Sequence, residues 1–293
     1  MNRFLKTHPF TMLVYFLAVI GVSMFCNNPV LQLISLLGAT AYAVWLSKGR
    51  GFLSQLLYFI TLFALVAVTN PLFVHNGKTP LFFMNGNPVT LEAIICGASI
   101  ALMIIATVLW FSCMTRVMTS DKFYFLFAKI SPKLALVFSM ALNFVPRLKK
   151  SYKETEKAHK TLGIYSTESY FERLFLKLKT MSSTVAQSAE NSIETSASMN
   201  ARGYGEKGRT SFETVKFTFY DLVLLCFTVA VTIMEIIFMI NGATAFEFYP
   251  TVTKITLEVS SVTAYAGYFV LCFLPVIIEI TESLRWKYFV SKI

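Results

Sequence analysis

The sequence predicts an all-α integral membrane protein with about six transmembrane helices and two long cytoplasmic helices, on three observations. The first is composition: 55% of the 293 residues are hydrophobic, 14% are charged, 28 are Phe, and the mean hydropathy is +0.61. A chain of this length exposing so little charge would aggregate in water, so its solvent is a bilayer. The second is a set of six apolar runs close to the roughly 20 residues needed to cross a hydrocarbon core. The third is a polar stretch, 146–216, with 13 Lys and Arg against 8 acids, inside which apolar residues still recur at helical spacing.

The first run, 9–26, follows Arg3 and Lys6 and so imitates a signal peptide. No small-x-small cleavage site follows it, and Phe25 is too bulky to precede a lipid-modified Cys26, so it is expected to stay as a span. The other runs are 29–47, 52–70, 91–112, 218–240 and 262–283. Asn27-Asn28-Pro29, Lys48-Gly49-Arg50-Gly51, Asn70-Pro71 and Asn241-Gly242 bound them with residues suited to interfaces and turns. A seventh stretch, 123–145, is apolar enough to cross, but Lys129, Ser131-Pro132 and Lys133 sit near its middle.

Charge asymmetry separates six spans from seven. Arg3 and Lys6 place the N-terminus inside, Lys48 and Arg50 place the second connection inside, and the first connection has no basic residue. Four spans return the chain to the inside near Arg116 and Lys122. If 123–145 crossed, the basic 146–216 stretch would lie outside; if it dips into or lies along the inner face, every basic cluster is cytoplasmic, including Arg285, Lys287 and Lys292. The expected organisation is a membrane bundle over 1–122, interfacial and cytoplasmic helices over 123–216, and two further spans over 217–293. Both termini are expected in the cytoplasm of a bacterial cell, and the 71–90 connection is expected as a compact external loop.

From about Lys133 to Leu162 the chain reads as one helix, kinked where Pro146 removes a backbone donor. Beyond Pro146, Arg147, Lys149, Lys150, Lys153, Lys157 and Lys160 alternate with Glu154 and Glu156, and Gly163 supplies a stop. A second helix runs from about Glu168 to Arg202. Phe171, Leu174-Phe175, Leu178, Met181, Val185, Ala189, Ile193 and Ala197 form one apolar stripe along it. Its later half is rich in Ser and Ala, which lets another helix approach closely. Such a helix is suited to lie against the inner leaflet or to cross a partner helix. Gly203 ends it in the position where a left-handed residue is cheapest, and Arg202 either complements the helix dipole or reaches a partner as a planar fork.

Chemistry is sparse. Cys26, Cys96, Cys113, Cys226 and Cys272 make no C-x-x-C or metal spacing, and His8, His75 and His159 are far apart. No metal site, cofactor or catalytic constellation is expected. The run from Gly203 to Gly208-Arg209-Thr210 approaches a phosphate loop, but Arg209 replaces the phosphate lysine and a helix precedes where a strand is needed. The net charge of +10 reflects cytoplasmic Lys and Arg facing anionic lipid rather than nucleic acid. Glu235, in the outer part of the fifth span, is the one acid placed for an ion path, which an ion-coupled carrier would use.

Three pieces occur in one order: Thr69-Asn70-Pro71-Leu72-Phe73-Val74-His75-Asn76-Gly77 with Gly86-Asn87-Pro88-Val89-Thr90; the Pro146 region leading into a charged helix; and Ala201-Arg202-Gly203-Tyr204 followed by Gly208-Arg209-Thr210. Together they resemble the transmembrane T component of energy-coupling factor transporters, the CbiQ-like family, over roughly residues 10–290. The resemblance implies a non-catalytic subunit of an ATP-driven importer of vitamins or metal ions. Its partners would be two ABC-type ATPase subunits, which bind the ATP, and a small substrate-binding membrane subunit, the S component. It implies two helix tips, each with an X-Arg-X motif docking in an ATPase groove. Ala201, Arg202 and Gly203 match the second motif, whereas Thr161, Leu162 and Gly163 stand where the first is expected.

Overall fold

A computed structural model of the chain describes residue 4 and residues 7–47, 52–74, 76–84, 87–163, 170–206, 216–253 and 258–292. Among them the elements in order are α1 (Pro9–Phe25), α2 (Pro29–Ser47), α3 (Phe52–Phe73), β1 (Pro80–Met84), β2 (Asn87–Thr90), α4 (Leu91–Val117), α5 (Ser120–Ile130), α6 (Pro132–Thr161), α7 (Tyr170–Ala201), α8 (Phe219–Ile240) and α9 (Val259–Val290). The chain divides into two compact units, one of residues 1–123 with 215–293 and one of residues 124–214.

The all-α membrane fold is as expected. Helices α2, α4, α8 and α9 are long and apolar enough to cross a bilayer, while α1 and the Leu57–Phe73 part of α3 are apolar but shorter. These six helices correspond to the six expected spans, with α4 and α9 running several residues past their expected ends. The 123–145 stretch is not one helix. Ser131 adopts an extended conformation between α5 and α6, and Pro132 opens α6, where its missing N–H costs nothing.

Within the first unit, α1, α2, α4 and α9 surround a core of aromatic rings. Phe4 meets Tyr15, Phe16 and Tyr42 edge-on, and Trp110 meets Tyr15 and Phe16 in the same way. The polar ends of Tyr15 and Trp110 are satisfied by neighbouring helices, whereas the buried Tyr42 hydroxyl has no hydrogen-bond partner among the described residues. Tyr15 Oη donates to Leu271 O at 2.9 Å, Trp110 Nε1 to Ser35 Oγ at 3.0 Å, and Ser35 Oγ to Ser23 Oγ at 3.2 Å. Ser99 donates to Gln32, whose Nε2 reaches Cys26 O, so α4 is tied to α2 and α1 by one relay. Small residues let the helices close: a Cβ on Gly38 would stand 2.7 Å from Cys272 Cβ and 3.2 Å from Cys272 O. Gly38→Ala therefore pushes α2 off α9, and we expect a destabilisation of about 1–3 kcal/mol, read as an earlier unfolding midpoint in detergent.

Where α1 and α8 begin, one carboxylate holds both starts. Asp221 accepts from Thr218 N at 2.9 Å and from the Thr218 hydroxyl, the reciprocal half of a capping box, and its other oxygen accepts from His8 N at 2.9 Å. Asp221 is 3% exposed, so removing it strands the buried His8 N–H at the start of α1 and undoes the Thr218 cap at the start of α8. Asp221→Ala is expected to cost about 1–3 kcal/mol in the same melt, with Asp221→Asn recovering part of it by keeping an acceptor in place.

The 71–90 connection departs from the expected loop. Asn70-Pro71 does not end α3, which continues to Phe73 with Pro71 inside it, and the residues after it form a β1–β2 antiparallel hairpin. Three side chains anchor this segment. Asn70 Nδ2 donates to Ala93 O at 2.9 Å, Thr90 Oγ1 donates to Asn76 O at 2.7 Å, and Thr79 Oγ1 donates to Glu92 Oε2 at 2.7 Å. Gly77, at φ +142°, leaves no room for a side chain against Glu92 and Thr90. The turn-rich sequence thus serves a hydrogen-bonded cap on α3 and α4. His75 lies outside the described residues.

Candidate functional site

The second unit holds α6 and α7 together with residues 124–130 of α5. Helix α6 changes character at Pro146: before it lie Leu134, Val137, Phe138 and Leu142, and after it come the basic residues. Lys160 Nζ stands 2.9 Å from Glu156 Oε1 one turn away, and this contact holds the Glu156 carboxyl below its usual range. At the far end of α6, His159 Nδ1 lies 2.8 Å from Thr180 Oγ1 of α7.

Helix α7 packs on α6 through small polar residues rather than through its apolar stripe. Thr180, Thr184 and Ser188, spaced four apart, are buried, and the Thr180 and Thr184 hydroxyls turn back to the carbonyls of Leu176 and Thr180. Hydroxyls bonded to their own helix present methyl and methylene groups outward, so two backbones come close without unpaired polar groups. The expected stripe faces away from α6: Phe171 is 81% exposed and Ile193 71%, with Phe175, Leu178, Met181 and Val185 exposed between them. Sequence reasoning noted the Ser and Ala content of this half but missed Thr180 and Thr184; their i, i+4 spacing with Ser188 was the available signal.

Both helices end in the same way. Gly163 and Gly203 adopt φ +73° and +82°, the left-handed region. At the α7 end Gly203 N donates to Asn200 O at 3.0 Å and Tyr204 N to Met199 O at 3.0 Å, a complete Schellman pair. At the α6 end Gly163 N donates to Lys160 O at 3.1 Å, the equivalent inner bond. The residue just before each glycine is thrown outward. Thr161 and Ala201 are the last helical residues, and Leu162 and Arg202 are the exposed caps that follow.

The structure therefore gives all six expected docking residues one local geometry with two chemistries. Arg202 is exposed and pairs with no carboxylate among the described residues, so its five guanidinium donors are open to a partner. Leu162 is 73% exposed. The phosphate-loop-like run is preceded by α7, and its residues 207–210 lie outside the described residues.

Elsewhere, Glu235 of α8 is fully buried, and neither carboxyl oxygen has a hydrogen-bond partner among the described residues. It faces α9 at Gly267, where a Cβ would stand 3.0 Å from Oε1. No group of three or more His, Cys, Asp and Glu placed to hold a metal occurs among the described residues.

Comparison with known proteins places these features in context. The family model of CbiQ, described as cobalt transport protein, matches residues 2–212, which include α1 to α7 and both tips. The energy-coupling factor transporter transmembrane protein EcfT 1 of Listeria monocytogenes serotype 1/2a (strain 08-5578) is 30% identical over 101 residues. That match spans 34% of this chain and 38% of the relative.

Proposed function

The chain belongs to the CbiQ cobalt transport protein family, and from that premise we propose that it is the transmembrane coupling subunit of an energy-coupling factor importer. Two ABC-type ATPase subunits bind and hydrolyse ATP, a small membrane subunit holds the cargo, and this chain transmits motion from the first to the second. It performs no chemistry and binds no cofactor. The cargo class is a micronutrient, a vitamin or a metal ion, selected by the small membrane subunit. The charge pattern supports residence in the bacterial plasma membrane with both termini and the α6–α7 unit in the cytoplasm.

The observation that carries this reading is Arg202, an exposed guanidinium that pairs with no carboxylate among the described residues and follows a Schellman-capped helix end. A planar fork so presented meets carboxylates or carbonyls in a groove of an ATPase subunit. Closure of the ATPase dimer on ATP moves the grooves, and α6 and α7, packed along Thr180, Thr184 and Ser188, carry the movement as two coupled rods. The exposed stripe of α7 then offers the small membrane subunit an apolar surface.

A second reading has one observation behind it, the buried Glu235, whose carboxyl has no hydrogen-bond partner among the described residues and which an ion-coupled carrier acting alone would use. Reconstitution in liposomes separates the two. The coupling reading predicts uptake only when the ATPase pair and the small membrane subunit are incorporated with this chain, and the same rate from Glu235→Gln in that assembly. Uptake by this chain alone, abolished by Glu235→Gln, would establish the carrier instead.

A further inference from the structure

We propose that the end of α9, residues 284–292, binds the headgroups of anionic phospholipid, with Arg285, Lys287 and Lys292 meeting the phosphates and Trp286, Phe289 and Val290 set among the acyl chains beside them. This goes beyond the coupling function and does not depend on it.

Length brings the segment to headgroup depth. Helix α9 has 32 residues, about 48 Å at 1.5 Å each, against a hydrocarbon core of about 30 Å. A tilt of about 20° shortens its span by only about 3 Å. The buried side chains of α9 run from Ser261 to Glu279, whereas every residue from Leu284 to Lys292 is exposed. Nothing among the described residues of the first unit covers this end.

The uncovered end has two faces. Trp286, Phe289 and Val290, at i, i+3 and i+4, form an apolar one, with Trp286 60% and Phe289 58% exposed. Arg285, Tyr288 and Lys292, at i, i+3 and i+7, form the other, and Lys292 Nζ lies 4.9 Å from the centre of the Tyr288 ring. Lys287 stands at the border between them. Glu282 is the one acid in 280–292, and Arg285, Lys287 and Lys292 pair with no carboxylate among the described residues. Complementing the helix dipole accounts for a cation in the last turn, Lys287, but not for uncovered rings. A lipid interface supplies both complements at one depth, acyl chains for the rings and phosphates for the cations. Three basic side chains near an anionic surface correspond to a preference of roughly a hundredfold over a neutral one at low salt.

The test reads Trp286 fluorescence of the full chain in phosphatidylcholine nanodiscs, as the difference between the wild type and Trp286→Phe. Brominated phosphatidylglycerol is expected to quench it at about one-tenth or less of the mole fraction that brominated phosphatidylcholine requires. Salt at about 1 M should erase that preference. Arg285→Gln combined with Lys287→Gln and Lys292→Gln should erase it too, and Arg285→Lys should keep it. All three side chains are exposed, so the unfolding midpoint should stay where it is. Equal quenching by the two lipids, or a preference that survives the triple substitution, would overturn the proposal. So would a Trp286 that neither lipid reaches and that is shielded only when purified ATPase or small membrane subunits are added, which would give this end of α9 to a protein. The coupling function stands in each case.

Discussion

Arg202→Glu is expected to abolish ATP-driven uptake while leaving the protein folded and in the membrane. Arg202 contributes nothing to the packing of its own unit, because it is exposed and pairs with no carboxylate among the described residues. Its cap survives the change, since the Gly203 and Tyr204 bonds to Asn200 and Met199 are backbone bonds. In a groove built for a cation, reversal replaces charge-assisted bonds by repulsion, and truncating one partner of such a pair costs about 2–5 kcal/mol. Recovery of the ATPase partners on the tagged chain should fall at least thirtyfold, a factor set by the lower end of that range. Arg202→Lys should lie between, because an ammonium keeps the charge and loses the bidentate fork. An undiminished complex from Arg202→Glu would remove this tip from the docking account.

A second large effect is expected from charging the outward face of α7. Leu178→Asp with Val185→Asp alters two exposed side chains one above the other on the stripe, on the side not used by α6. The α6–α7 pair should persist, since its contacts run through Thr180, Thr184 and Ser188. The small membrane subunit should dissociate. Burying a leucine or valine contributes about 1.5–3 kcal/mol, so losing two at an interface corresponds to two to four orders of magnitude in affinity. Co-purification would show loss of that subunit with the ATPases retained, the reverse of the Arg202→Glu pattern. Loss of every partner at once would instead point to collapse of the helix pair.

These two effects rest on different levels of sequence legibility. Membrane class, the six apolar helices and the two long polar helices could be read directly, because hydropathy and basic charge act over twenty residues at a time. The glycine stops at 163 and 203 were legible for a local reason: few other residues adopt φ near +80° at a helix end. The family resemblance, resting on Asn70-Pro71, Pro146 and Ala201-Arg202-Gly203, agrees with the family to which residues 2–212 match.

What sequence reasoning missed depends on contacts between distant segments. Asn70-Pro71 resembles a helix end, yet α3 passes through it, because Asn70 finds Ala93 O on α4. The 71–90 run was expected to be a loop, and its turn residues instead frame a hairpin fastened to Glu92. Asp221, which sequence reasoning did not single out, bridges to His8, 213 positions away. The stripe on α7 was correctly periodic, but period alone does not say which face meets α6; three small side chains at Thr180, Thr184 and Ser188 decide that by allowing the closer approach.

The central claim is that this chain works as the middle member of an assembly, and purification of the tagged chain from its native membranes in mild detergent tests it most directly. Mass spectrometry of what stays bound should find ATPase subunits and a small membrane protein, with the ATPases lost from Arg202→Glu. A solitary, well-folded chain that drives uptake by itself in liposomes would contradict the account.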